Sequence, residues 1–410
     1  MSKSIFLEKL LDKAEVKWVP LGELTKIKSG QAVNKTMIAE NPGDYPVINS
    51  GREPLGYIDQ WNTENDPIGI TSRGAGVGSI TWREGRYYRG NLNYSVSIED
   101  GANVRTKFLL HLLLYMQREI QDLCTYDGIP ALNASNLKQL LLPIPCPENP
   151  EKSLAIQAEI VRILDTFTEL TAELTAELTA RTKQYNYYRD QLLTFEDGEA
   201  CLSGRQVEWK TLGEVLTDKF WIMPATPKFD ETEEVPYITS KNIRGGNIDF
   251  NKVKFISRKD FQNLSRNRPI LAGDFLISMI GTIGEVARVK EDDLDFYGQN
   301  MYLIRLNPNL ILSGYFLHFF DSPKMKRHFN GVKNNSGQGY LKANNIENIR
   351  VPIPPLAEQA RIVAILDKFD TLTHSISEGL PREIELRQKQ YEYYRDLLLN
   401  FPKTQTKGVA

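Results

Sequence analysis

The sequence predicts an α+β protein built twice over: two mixed domains joined by two long helices that form an antiparallel coiled coil, related by an internal duplication with a pseudo-twofold axis. Three observations predict it. A tyrosine-rich segment is written twice, KQYNYYRDQLLTF from Lys183 and KQYEYYRDLLLNF from Lys389. Ahead of each, apolar residues step by threes and fours over a length no ordinary globular helix reaches. Between the repeats lie short β-rich runs punctuated by glycine, which read as loops carried on a sheet.

Each copy runs through the same order. VKWVPLGEL (residues 16–24) matches VEWKTLGEV (residues 207–215), pairing Trp18 with Trp209 and Gly22 with Gly213. A variable stretch follows. In the first copy its strands are YPVINS, PIGITS, SITW and NYSVSI, with one helix over residues 104–123; in the second they are VPYITS, DFLISMIGTIGEVARV and MYLIRL, with a helix near residues 313–320. GIPALNASNLKQLLLPIP (128–145) then lies against GQGYLKANNIENIRVPIP (337–354), and IQAEIVRILDTF (156–167) against EQARIVAILDKF (358–369). The helices close each copy. The first seam includes Leu170, Leu174, Leu178, Tyr185 and Tyr188; the second includes Phe369, Leu372, Tyr391 and Tyr394. The fours from Leu170 to Leu178 come from iterated TAEL units, a stutter in the heptad. Pro381 after Gly379 is expected to kink or restart the second helix. FLEKLLD near the N-terminus is similar to the helix end YRDQLLTF, so the first copy starts partway through the cycle.

Composition is that of a globular chain, with 41% hydrophobic and 25% charged residues and a net charge of −2. The variable stretches are close to neutral: residues 16–142 give 13 − 13 = 0 and residues 207–350 give 20 − 17 = +3. A nucleic-acid site must therefore be a local patch. The densest apolar run, FLLHLLLYM, is too short to cross a bilayer, and the N-terminal segment MSKSIFLEKLLDKAEVKW carries Glu and Asp amid its apolar residues and does not read as a signal peptide. Cys124, Cys146 and Cys201 stand alone, as free thiols do in a reducing cytoplasm, the expected location.

Catalytic signatures are missing. No G-x-x-x-x-G-K-[ST] cradles a nucleotide, RGAGVG (73–78) runs into β-type residues and reads as a loop, and NPGDYP is not the tetrapeptide of an adenine methyltransferase. The four histidines have no metal-ligand spacing; His111 and His318 occupy corresponding helix positions and read as packed or capping residues. What remains are loops fit to meet nucleic acid. In the first stretch Arg73, Gly74, Gly76, Arg83, Arg86, Arg89, Asn91 and Asn93 combine guanidinium forks, amides and close-approach glycines. In the second, Ser240, Lys241, Asn242, Arg244, Gln299, Asn300, Asn334, Asn335, Gln338 and Tyr340 offer the same mix.

The duplicated plan resembles the specificity subunit of type I restriction-modification enzymes. The carriers are P-I-P followed by Q-x-x-I-V-x-I-L-D-x-F (Pro143–Pro145 with 157–167; Pro352–Pro354 with 359–369), the KQYxYYRDxLL endings and the W-x-x-LGE openings. The TAEL units resemble the subgroup with such repeats in its central region. The resemblance implies a first target-recognition domain at 1–150, a central coiled-coil helix at 151–197, a second recognition domain at 198–355, a C-terminal coiled-coil helix at 356–402 and a flexible tail at 403–410. It implies a non-catalytic reader of bipartite double-stranded DNA, one half-site per domain, with the coiled coil setting the gap. Two methylation subunits and the restriction subunits are the implied partners; S-adenosylmethionine, ATP and Mg belong to them and no cofactor to this chain. A stand-alone DNA methyltransferase and a coiled-coil scaffold without DNA are the alternative readings.

Overall fold

The computed structural model describes residues 5–51, 53–196, 206–332, 339–375 and 377–402. The chain divides into two compact units, Met1–Leu174 with Glu383–Ala410, and Thr175–Arg382. Each unit therefore takes one variable stretch, the start of the helix that follows it, and the end of the helix written with the other copy. The linear segments at 151–197 and 356–402 are thus shared between units.

In the first unit, Val16–Pro20 pairs antiparallel with Leu141–Pro145. Prolines 20, 143 and 145 bring no N–H to this ribbon, which a two-stranded element with free edges tolerates. A four-stranded antiparallel sheet follows in the order Thr25–Ser29, Asn93–Ile98, Ile68–Thr71, Ile80–Trp82. A smaller sheet orders Tyr57–Ile58, Pro42–Ile48 and Tyr88–Arg89, the last pair parallel. Ile68, Ile70 and Val96 share a core with Phe108, Leu109, Leu112 and Leu113 of helix Thr106–Tyr115. Burying each such side chain contributes about 1.5–3 kcal/mol.

The second unit repeats the ribbon and both larger sheets in the same order, while its small hairpin differs: Ile243–Arg244 with Asn247–Ile248, where the first unit has Cys124–Thr125 with Ala131–Leu132. Glu208–Thr211 pairs with Arg350–Ile353. The four-stranded sheet runs Leu216–Ile222, Met301–Leu306, Phe275–Ser278, Val286–Arg288, and the three-stranded one Lys254–Ile256, Val235–Thr239, Tyr297–Gln299, again with one parallel pair. Tyr315, Phe316, Phe319 and Phe320 of helix Ser313–Phe320 fill its core.

Two expectations need correction. The helix over 104–123 is two helices, Thr106–Tyr115 and Gln117–Asp122, because Met116 leaves the helical region (φ −92°, ψ 20°). Strands Thr25–Ser29 and Leu216–Ile222 carry charged and polar residues on one face and escaped the sequence reading. The long helices keep the expected difference. Pro150–Leu193 is one continuous helix of 44 residues, whereas Leu356–His374 ends and Gly379–Leu399 begins anew, Gly379 taking φ +73°. Among the described residues no helix is long and apolar enough to cross a membrane. The tail at 403–410 lies outside the described residues.

Candidate nucleic-acid interface

Each variable domain gathers loops at the end of its central sheet, and the two gather them through the same backbone bonds. In the first, Ser72 N–H donates to Leu92 O (2.9 Å), Leu132 N–H to Ser72 O (2.8 Å) and Gly78 N–H to Thr71 O (2.9 Å). In the second, Met279 N–H donates to Asn300 O (3.3 Å), Leu341 N–H to Met279 O (3.0 Å) and Gly284 N–H to Ser278 O (3.0 Å). Isolated bridges Arg73–Ala131 and Ile280–Tyr340 complete the match.

Several predicted residues lie on this surface. Arg73, Arg83 and Asn91 are exposed, and no side-chain bond of theirs exists among the described residues. Gly74 takes φ +97° and a Cβ there would touch nothing, so backbone lies open to a ligand. A Cβ at Gly76 would sit 2.9 Å from Ser50 O, which is a packing reason for glycine. Arg86 is exposed but committed, its guanidinium 2.9 Å from Glu64 and over the Trp61 ring. Lys241, Arg244 and Tyr340 are exposed in the second domain; Gln299 and Asn300 are half-buried, Asn300 at φ +66°. Asn334, Asn335 and Gln338 lie outside the described residues.

Four candidates are corrected by burial or by internal bonds. Arg89 is 2% exposed and Asn93 fully buried. The Arg89 guanidinium donates to Asn93 Oδ1 (2.6 Å), Tyr94 O (3.1 Å), Asp66 O (2.7 Å) and the Tyr87 hydroxyl, and ion-pairs with Asp66. Burial pushes the Tyr87 phenol up to about 12, so it stays protonated and donates to Asp66 O. These side chains hold the domain together and have no access to DNA. Ser240 is buried, and Asn242 caps its own turn, accepting from Thr239 N–H (2.9 Å) and donating to Asp249 O (2.9 Å).

The helices carry a second repeated constellation. Gln157 Oε1 accepts from Arg105 N–H (2.8 Å) and its Nε2 donates to Asn103 O (2.9 Å); Gln359 does the same with Leu312 N–H (2.8 Å) and Leu310 O (2.9 Å). Each glutamine thus caps the N-terminus of its domain helix, whose own cap residue offers no side-chain bond. One turn-pair along, His111 Nε2 lies 2.8 Å from Asp165 and Nδ1 3.3 Å from the Tyr391 hydroxyl; His318 lies 2.7 Å from Asp367 and 3.2 Å from the Tyr185 hydroxyl. Burial holds His111 below its ordinary range against the pull of Asp165, so a neutral ring donates from Nε2 and accepts at Nδ1. Phe167 stacks on Tyr394 (5.0 Å) and Phe369 on Tyr188 (5.6 Å). Leu170, Leu174, Leu178 and Leu372 are half-buried.

The segment Q-x-x-I-V-x-I-L-D-x-F is therefore a set of fasteners: the Gln caps, the Asp holds the histidine and the Phe receives a tyrosine. The tyrosine segment is written twice because each unit closes its histidine and phenylalanine with the tyrosines of the other copy's helix. The sequence signal was the recurrence of His, Asp and Tyr at matching positions. Gln157→Ala is expected to cost about 1–2 kcal/mol through the orphaned Arg105 N–H and Asn103 carbonyl. Denaturant midpoints would measure it, and an unchanged midpoint would remove the capping role.

No group of three or more His, Cys, Asp or Glu fit to hold a metal exists among the described residues. The sequence matches the family of type I restriction modification DNA specificity domains twice, over residues 13–184 and 205–386. It is 37% identical to the specificity subunit of an Escherichia coli type I restriction enzyme, over 99% of both chains. It is 33% identical to a putative type I restriction enzyme specificity subunit of Haemophilus influenzae, over 97% of this chain and 98% of the other. The fold is similar to the crystal structure of the type I restriction-modification S subunit from M. genitalium (TM-score 0.59, 20% identity, 96% and 97% covered). Two matches placed on the two copies, and relatives aligned end to end, show that this chain belongs to the type I restriction-modification specificity subunits, the non-catalytic components that give such systems their DNA sequence specificity.

Proposed function

We propose that each variable domain reads one half of a bipartite double-stranded DNA target, and that the two helices set the unread gap between the halves. The observation that carries this is the repetition of the ribbon, the four-stranded sheet and the three-stranded sheet in both domains, with matching loop backbone bonds presenting different exposed side chains. Two such readers on one chain, tied to shared helices by duplicated His–Asp–Tyr and Gln fasteners, suit two short sequences at fixed separation. Two methylation subunits supply S-adenosylmethionine and adenine methyl transfer, and restriction subunits supply ATP- and Mg-dependent steps; this chain addresses them and holds no cofactor itself. The setting is cytoplasmic.

The test is exchange of domains within the complex formed with the methylation subunits. Residues 1–150 or 207–350 replaced by those of a relative are expected to bring that relative's half-site and leave the other half unchanged. Methylation mapping reads the outcome, and a chimera fitting neither parent would refute independent reading. Arg83→Ala, at an exposed position without a partner, is expected to weaken binding to all duplexes alike and lower the salt slope by about 1.

A further inference from the structure

The variable stretches cannot be aligned by identity, but their backbone bonds align them. Ser72 and Met279 occupy the same place, each donating across to the strand-entering loop and accepting from the segment before a short helix. That correspondence equates Arg73 with Ile280, Leu92 with Asn300 and Ala131 with Tyr340. Gly74 and Gly281 follow at φ +97° and +84°, and a Cβ on either would meet nothing closer than 3.9 Å. The backbone in front of each station is open in both domains. The chemistry differs, an arginine with small and apolar neighbours in one and an amide with an isoleucine and a phenol in the other, and the backbone differs at one place, Asn300 taking φ +66° where Leu92 does not. None of the six is fully buried.

We infer that positions 73, 92 and 131 and their counterparts 280, 300 and 340 form one base-reading station per domain, built on matching backbone bonds and specified by these side chains. This rests on the reading of each domain as a half-site reader. Arg73 presents two parallel donors without competing partners, the geometry that takes O6 and N7 of guanine in the major groove. Asn300 presents one donor and one acceptor, which suits N6 and N7 of adenine, and Ile280 presents an apolar face for the thymine methyl. The first station therefore reads a G·C pair and the second an A·T pair. Ile280, Ala131 and Leu92 carry specificity although nothing in their residue types suggests DNA contact.

The experiment grafts one station onto the other domain. Ile280→Arg, Asn300→Gly (glycine removes the amide and accepts the left-handed φ) and Tyr340→Ala are combined in the full chain, assembled with its methylation subunits, and bound to duplexes randomised in each half-site. The expected result is that one position of the second half-site moves from A·T to G·C while the first half-site is unchanged. Retained binding with wild-type preference at every position overturns the inference. If the triple variant fails to assemble, Arg73→Ala, exposed and free of side-chain partners, decides. It is expected to bind about 5- to 150-fold more weakly and to accept any base at one G·C of the first half-site. Unchanged preference there overturns the inference. A wild-type complex that selects no bipartite duplex at all would instead overturn the reading of function.

Discussion

Arg89→Ala is expected to destabilise the first unit by about 3–5 kcal/mol, the loss typical of removing one partner from a buried, hydrogen-bonded charge network. The truncation strands the Asn93 amide oxygen and the Asp66 carboxylate and takes one of two partners from the Tyr87 hydroxyl, which keeps its bond to Asp66 O. The second unit shows what the same place looks like without a charge. By strand register Arg89 corresponds to Gly298 and Asn93 to Met301. A Cβ at Gly298 would lie 2.6 Å from the Met301 methyl and closer still to the Ile238 carbonyl oxygen, so glycine there serves the close approach of the neighbouring strand as well as the methionine. One domain fills the space with an Arg–Asn pair, the other with a Gly–Met pair. Mixed pairs fit neither solution. The double variant Arg89→Gly with Asn93→Met should therefore be more stable than the two single losses sum to, by a coupling of about 0.5–3 kcal/mol. Urea denaturation of all four proteins measures this cycle. Additive losses would mean that the two positions do not share one packing solution.

That network also marks where reading the sequence stopped. Arg89 sits in YYRGNLNY among arginines that are exposed, and nothing local separates it from Arg86 or Arg83. Its burial follows from the parallel pairing of Ile48 with Arg89, which joins residues 41 apart in the chain (89 − 48). Such pairing leaves no short-range period. The apolar seams were legible because helical spacing repeats within a few residues, and the correspondence of His111 with His318 because both recur at matching positions in the two copies. The partners of His111 were not legible. Asp165 and Tyr391 come from different helices, the second 280 residues away, and the histidine period alone names neither. The loop stations escaped for the opposite reason: Arg73 was visible by type, while Ile280 and Ala131 became its counterparts only through backbone bonds.

Inserting one further TAEL unit after Leu178 is expected to lengthen the preferred gap by one or two base pairs and leave both half-sites unchanged. Leu178 lies within a continuous helix, so the insertion has no break in which to disappear. The second copy differs here. From Asp165 to Gln184 is 19 residues and from Asp367 to Gln390 is 23, a difference of four, and within the longer stretch helix Leu356–His374 ends before helix Gly379–Leu399 begins. The extra length of the second copy thus coincides with a change from one helix to the next and is not an added unit of one continuous helix. Four residues add about 6 Å of helix and turn it by roughly 40°. Two base pairs span about 7 Å of duplex, and each turns it by roughly 35°. The added length therefore matches about two base pairs and the added rotation about one, which sets the bounds of the expected change, and a turn of only about 40° keeps Tyr185 toward His318 and Tyr188 toward Phe369. Two inserted residues would rotate the following face by about 200°. Tyr185, 2% exposed against His318 and Phe369, would then point to solvent, and its fasteners would open. That variant is expected to lose sequence-specific methylation altogether. Methylation mapping of both insertions gives the comparison. An unchanged gap in the four-residue variant, or full activity in the two-residue one, would show that the helices do not measure the target.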